Sequence, residues 1–138
     1  MLRTILLCTS IVFAGVGAAN AQTPAAPAQA QSAIKRTPVQ DVDFPAGYHL
    51  VEAIAEIPAG TESAGRHTHP GVDASYVLEG EATLMVEGRP DQQIKPGDAI
   101  QIPPGVPHDI KVAPGKPLKL LGIYLVEKGK PVASPAPK

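Results

Sequence analysis

His67-Thr68-His69-Pro70-Gly71-Val72-Asp73, closed by Gly80, and Gly97-Asp98-Ala99-Ile100-Gln101-Ile102-Pro103-Pro104-Gly105-Val106-Pro107-His108 are the two stretches on which the reading of this chain turns. His67 and His69 are two residues apart, so on a strand both rings leave the same face. Taken alone, such a pair is more often an ordinary surface or core pair than a ligand pair. Asp73 and His108 change that balance. Three imidazoles and one carboxylate form a nitrogen-rich set that suits a divalent transition metal: iron, manganese, nickel, copper or zinc. Pro103-Pro104-Gly105 is a turn signal directly ahead of His108, and it delivers that ring from a second strand pair.

Working outward, short apolar runs alternate with Gly and Pro. Tyr48 to Ile57 reads as a strand ending at Pro58-Ala59-Gly60. Ser75 to Glu79 and Glu81 to Val86 follow, and Glu87-Gly88 signals a hairpin. Gln92 to Ile94, Ala99 to Ile102, His108 to Val112 and Leu118 to Glu127 complete the set. No stretch shows a convincing apolar period of 3.6 residues. Many short strands with this punctuation indicate an all-β sandwich or barrel.

The two stretches resemble the cupin superfamily of small β-barrels. The first motif of that family, H-x-H, three or four residues, an acid, six residues, Gly, falls on His67, His69, Asp73 and Gly80. The second, G-x5-P-x-G-x2-H, falls on Gly97, Pro103, Gly105 and His108. At average Gly and Pro usage, the G-P-G spacing alone arises roughly once in 4,000 starts, and the His makes it rarer still. The sequence departs from the pattern at three points: Thr61 stands where the first motif opens on Gly, Val112 where an Asn often follows, and Asp73 where the acid is usually Glu. The resemblance implies a single cupin-type jelly-roll β-barrel over about residues 48–126, and a metal held by His67, His69, Asp73 and His108. It also implies a small-molecule ligand or substrate, in a pocket expected among residues such as Val77, Leu84 and Ile102.

The flanks read differently. Met1 to Thr4 carries one basic residue, an apolar core runs from Ile5 to Gly17, and Ala19-Asn20-Ala21 is a small-residue cleavage site. This order predicts a signal peptide over 1–21 and an exported protein, periplasmic or secreted. The apolar run is short for a membrane span and has no stop-transfer charges behind it. Residues 22–43, rich in Ala, Pro and Gln, read as a disordered linker, and 128–138 as a disordered tail. The barrel is then expected over 44–127, small enough that a homodimer is a reasonable expectation.

Cleavage after Ala21 removes Cys8, the only cysteine, and with it thiol chemistry and disulfides. It leaves 11 Lys and Arg against 13 Asp and Glu, a net of −2 without like-charge runs. Neither a nucleic acid nor, in the mature form, a membrane is an expected partner. Two functional readings follow. One is a metal-dependent enzyme on a small molecule, of dioxygenase, decarboxylase or isomerase type. The other is a non-catalytic metal or small-ligand binding module. The ligand set favours the first, and the scarcity of acid/base groups beyond the ligands favours the second. Of the remaining polar residues, His49 reads as a plain strand residue, Arg66 as pointing away from the metal, and Tyr76 and Gln101 as strand-face positions.

Overall fold

The computed structural model describes residues 34–44 and 47–137. The expected signal peptide and most of the expected linker lie outside this range. Ten strands run in chain order: β1 Lys35–Phe44, β2 Tyr48–Ile57, β3 His67–Thr68, β4 Val72–Asp73, β5 Tyr76–Glu79, β6 Ala82–Val86, β7 Gln92–Ile94, β8 His108–Val112, β9 Leu118–Glu127 and β10 Ser134–Pro135. The described residues contain no helix, so none is long and apolar enough to cross a membrane.

The strands form two antiparallel sheets. In the first the order is β1-β2-β9-β4, with β5 also pairing β9. In the second it is β10-β3-β8-β6-β7. The backbone of the first sheet is the unbroken pairing of β2 with β9, from Tyr48 opposite Glu127 to Ile57 opposite Leu118. Alternation sets the inner face. Ala55 and Ile57 of β2 lie opposite Leu120 and Leu118 of β9, and all four are buried in the core. Ala82, Leu84 and Val86 of β6, with Ile110 and Val112 of β8, close over them from the second sheet. The sheets therefore share one core, as two packed layers must to bury their apolar faces.

Two segments differ from the expectation of disorder. Lys35–Phe44, placed in the linker by composition, pairs along the length of β2. Its side chains are nearly all exposed, so it has no apolar signature, and backbone pairing on the sheet edge holds it. Pro38 sits there without breaking the sheet, because the register shifts between Pro38 and Gln40 and an edge strand tolerates a missing N–H. Ser134–Pro135, in the expected tail, pairs with β3, and Ala136 next to it is buried. Ala99–Ile102 makes only isolated bridges, Tyr76 to Ala99 and Asp73 to Ile102, rather than a strand.

Candidate metal centre

The three histidines meet because two strands and one turn bring them together. His67 on β3 is the direct partner of His108 on β8. His69 lies just past β3, and its carbonyl accepts from the Gly105 amide at 2.8 Å. Pro103 to Val106 forms the turn, with the Val106 amide donating to the Pro103 carbonyl at 3.3 Å and Gly105 at φ +73°. Pro at the second position and a left-handed Gly at the third make it a type II turn. The bond from Gly105 to His69 joins the two sequence motifs at the site, alongside the reciprocal Asp73–Ile102 pair and the Ile100 amide on the Ser75 carbonyl.

The rings stand 4.3 Å (His67–His108), 4.9 Å (His67–His69) and 5.0 Å (His69–His108) apart, centroid to centroid. Each ring is oriented by a backbone carbonyl. His67 Nδ1 donates to Gly65 at 2.6 Å, His69 Nδ1 to Val132 at 2.7 Å and His108 Nδ1 to Val106 at 3.1 Å. A carbonyl only accepts, so each Nδ1 carries the hydrogen and each Nε2 presents a lone pair. Nε2 of His69 and of His108 is buried and has no hydrogen-bond partner among the described residues. Such an orphaned acceptor is costly, and a cation placed between the rings relieves it.

The residues fit a metal on this count. The potential ligand nitrogens of the three histidines lie within 4.8 Å of one another. Nitrogens sharing one ion at about 2.0–2.1 Å stand about 3 Å apart, so each ring needs to swing inward by no more than about an ångström. A ring nitrogen that donates to a carbonyl is the usual outer partner of a metal-bound imidazole. Burial pushes His69 and His108 down to about 4, with the neighbouring His67 adding to it, and it lowers His67 as well. All three rings are therefore neutral near pH 7, the form that binds a metal.

Asp73 flanks this cluster. Its Oδ2 lies 3.6 Å from His69 Nε2, and its Oδ1 accepts from the Ser75 hydroxyl. With His69 neutral, this contact is not an ion pair. Burial raises the carboxyl to about 6, against the opposing Ser75 hydrogen bonds.

Two residues near the site were missed in the sequence. Tyr124 pairs with Asp73 across β4 and β9, and its ring stands 4.9 Å from that of His69. Burial, then the Asp73 carboxylate, pushes its phenol up to about 12. The alternation along β9 carried the signal, since Leu118, Leu120, Gly122 and Tyr124 share a face. Gly122 makes the room: a Cβ there would lie 2.5 Å from the Tyr124 hydroxyl. Arg36, on the unexpected strand β1, is the second.

Other expected positions fall elsewhere. Val77, Leu84 and Ile102 are core residues and do not line the pocket beside the histidines. That pocket, about 350 Å³, has walls from Pro38, Val51, Ala53 and Val132 and reaches His69 and Tyr124. Sheet alternation turned the expected apolar residues into the interior instead. His49 is held by Asp41 at 2.5 Å and Asp43 at 3.3 Å, apart from the cluster. Arg66 turns outward to Glu87 and to the Pro137 carbonyl, while Tyr76 and Gln101 are exposed.

The tail is part of the site, because the Val132 carbonyl fixes the His69 ring. Ending the chain at Lys130 is expected to weaken metal binding about ten- to a hundredfold, the usual cost of losing such an outer partner. Competition with a chromogenic chelator measures this. Unchanged affinity in the shortened chain would show that Val132 does not orient the ring.

Comparison with known proteins agrees with this geometry. Over 42 residues the chain is 40% identical to dimethylsulfoniopropionate lyase DddQ of Ruegeria pomeroyi, covering 30% of this chain and 21% of that protein. It is 36% identical over 72 residues to an uncharacterized protein of Methanocaldococcus jannaschii, covering 52% of this chain and 55% of the other. These matches thus span about a fifth and about half of the relatives' lengths. Among solved structures, DddQ of R. pomeroyi superposes with a TM-score of 0.65 at 22% identity, over 80% of this chain and 57% of that one. The polyketide cyclase RemF of Streptomyces resistomycificus gives 0.60 at 26% identity, over 77% and 72%. Residues 53–124, more than half of the chain, match the Cupin domain family. The two facing antiparallel sheets, the paired motifs and this match together make the chain a member of the cupin family.

Proposed function

We propose that this protein is a metal-dependent enzyme that acts on a small molecule carrying an oxygen donor. One observation carries the reading. Three buried imidazoles are each held by a carbonyl on Nδ1, and their potential ligand nitrogens lie within 4.8 Å of one another beside a pocket of about 350 Å³ that reaches His69. That volume is at the lower end of the range of small-ligand pockets. His67, His69 and His108 would hold a divalent transition metal, with Asp73 as the fourth ligand. When bound, the metal supplies Lewis-acid polarisation of a coordinated oxygen and, if redox-active, one-electron chemistry.

The chain's own residues then have separate tasks. Ser75 holds one Asp73 oxygen by hydrogen bonding and leaves the other turned toward His69. Tyr124 keeps its proton, since burial pushes the phenol up to about 12, so it serves as a hydrogen-bond donor toward bound substrate. Val51, Ala53 and Val132 exclude water from one side of the pocket. Export stays part of the proposal and rests on the order of residues 1–21.

The test loads the metal-free protein separately with iron(II), manganese(II), copper(II), nickel(II) and zinc(II). Oxygen uptake and product formation are then followed over enediols, diketones, catechols and carboxylates. Turnover with redox metals alone supports an oxygenase. Equal turnover with zinc points to lyase, isomerase or hydrolase chemistry. Tight ligand binding with no turnover under any metal would overturn the enzymatic reading and leave a binding module.

A further inference from the structure

Strand β1 carries one cation to the entrance of the histidine site. Beneath the outer pocket lies a small inner chamber of about 40 Å³, which His67, Asp73 and His108 line. Arg36 and Tyr124 are the two residues that line both spaces. Arg36 thus stands on the wall shared by the outer pocket, which reaches His69, and the inner space that His67, Asp73 and His108 line. Its charge is felt there, since it lowers the proton affinity of His67, His69 and Tyr124. Among the described residues no carboxylate pairs with it. Asp41, the acid on the same pocket wall, is engaged by His49 Nε2 at 2.5 Å.

A guanidinium has five N–H donors, and among the described residues none of those of Arg36 is engaged in a side-chain hydrogen bond or ion pair. Its planar fork matches a carboxylate, which it can hold through two parallel hydrogen bonds. The neighbouring wall is apolar. A ligand for this space therefore combines one anionic end, a short hydrocarbon body and a second oxygen donor.

We propose that the pocket takes a small organic carboxylate, bound through its carboxylate by Arg36, with its second oxygen donor directed at the three-histidine site. This rests on the metal-centre reading and adds the substrate class to it. Arg36 sets specificity by holding the end of the substrate remote from the reacting atoms.

Isothermal calorimetry on the zinc-loaded full chain tests this, with 2-hydroxybutyrate and 2-oxobutyrate as probes and 2-hydroxybutyramide as the neutral control. Zinc content is measured on the same samples. The wild-type chain should bind the carboxylates at least tenfold more tightly than the amide. Arg36→Gln should weaken carboxylate binding about ten- to a hundredfold, leaving amide affinity and zinc content unchanged. Arg36→Lys should recover part of the loss, since it restores the charge without the fork. No preference of the wild type for carboxylate over amide, or full carboxylate affinity in Arg36→Gln, would overturn the proposal. A chain that takes up no zinc contradicts the metal-centre reading instead. Arg36-dependent preference for the carboxylates in that metal-free chain would still uphold the anion site, and its absence would sink it.

Discussion

Alanine at His108 is expected to lower metal affinity by more than about a hundredfold, and His67→Ala combined with it should leave the purified chain essentially without metal. Losing a partner outside the coordination sphere already costs about ten- to a hundredfold, and a ligand lost from a three- or four-ligand site costs more. His108 is buried opposite His67, and among the described residues it is one of only three histidines in the group. Asp73→Ala should do less, because water can fill the place of a carboxylate. Elemental analysis of the variants decides this, and full occupancy in the double variant would remove the histidines from the account.

The pH dependence of the same site follows from its burial. A free imidazole gains its proton near 6.5, yet His69 and His108 hold out to about 4. Metal should therefore survive below 6.5 and be lost steeply as the pH nears 4, with a shallower loss near 6 as Asp73 takes a proton. Asp73→Asn should remove the shallow step. The stability of the metal-free chain moves in a related way. Between about 4 and 6.5 the unfolded chain protonates His69 and His108, which the folded chain keeps neutral, and the lowered His67 acts in the same direction, so acid destabilises the fold. Asp73 acts oppositely between 3.8 and about 6, because there the folded chain binds the extra proton. The displacements are similar in size, so two histidines outweigh one carboxyl, and stability should fall as the pH drops through this window.

Gly80→Ala should cost about 2–5 kcal/mol of stability, a large part of what a domain of this size has. Two effects add. Gly80 sits at φ +81°, where a side chain costs about 1–2 kcal/mol. A Cβ there would also meet the Pro117 carbonyl oxygen at 2.3 Å and the Leu118 Cα at 2.9 Å. Neither atom can turn aside as a flexible side chain would, and Leu118 is fully buried at the start of β9. Displacing packed backbone of this kind costs at least as much as overpacking a core, about 1–3 kcal/mol. Gly88→Ala is the matched control, since Gly88 has φ +76° with open space beside it and suffers the conformational cost alone. Chemical denaturation of both variants gives the comparison. Equal losses would show that the close approach of β9 does not constrain Gly80.

How far the sequence could be read depended on what holds each element. His67, His69, Gly105 and His108 were legible because a turn and a strand pair impose their spacing on the sequence itself. The long strands β2 and β9 and the hairpin at Glu87-Gly88 were legible from apolar alternation and turn residues. Strands β1 and β10 were not, because edge strands are held by backbone pairing and need no apolar pattern. That gap hid Arg36 and the Val132 carbonyl, both of which border the site. Tyr124 was missed differently: the alternation of β9 puts it on the face of Leu118, Leu120 and Gly122, but nothing in that pattern says that this position stands beside Asp73 and His69. Asp73, read from the motif as a fourth ligand, stands at the edge of the three-histidine group rather than within it, with Oδ2 3.6 Å from His69 Nε2 and Oδ1 held by Ser75, a placement that spacing alone could not give.

X-ray absorption of the metal-loaded, full-length chain tests the central claim most directly, because it counts imidazoles around the ion without reference to activity. Zinc or iron(II) bound here should show three imidazole ligands, through nitrogens at about 2.0–2.2 Å, completed by oxygen. A shell of oxygen alone, or one with a single imidazole, would contradict the convergence of His67, His69 and His108 on one ion.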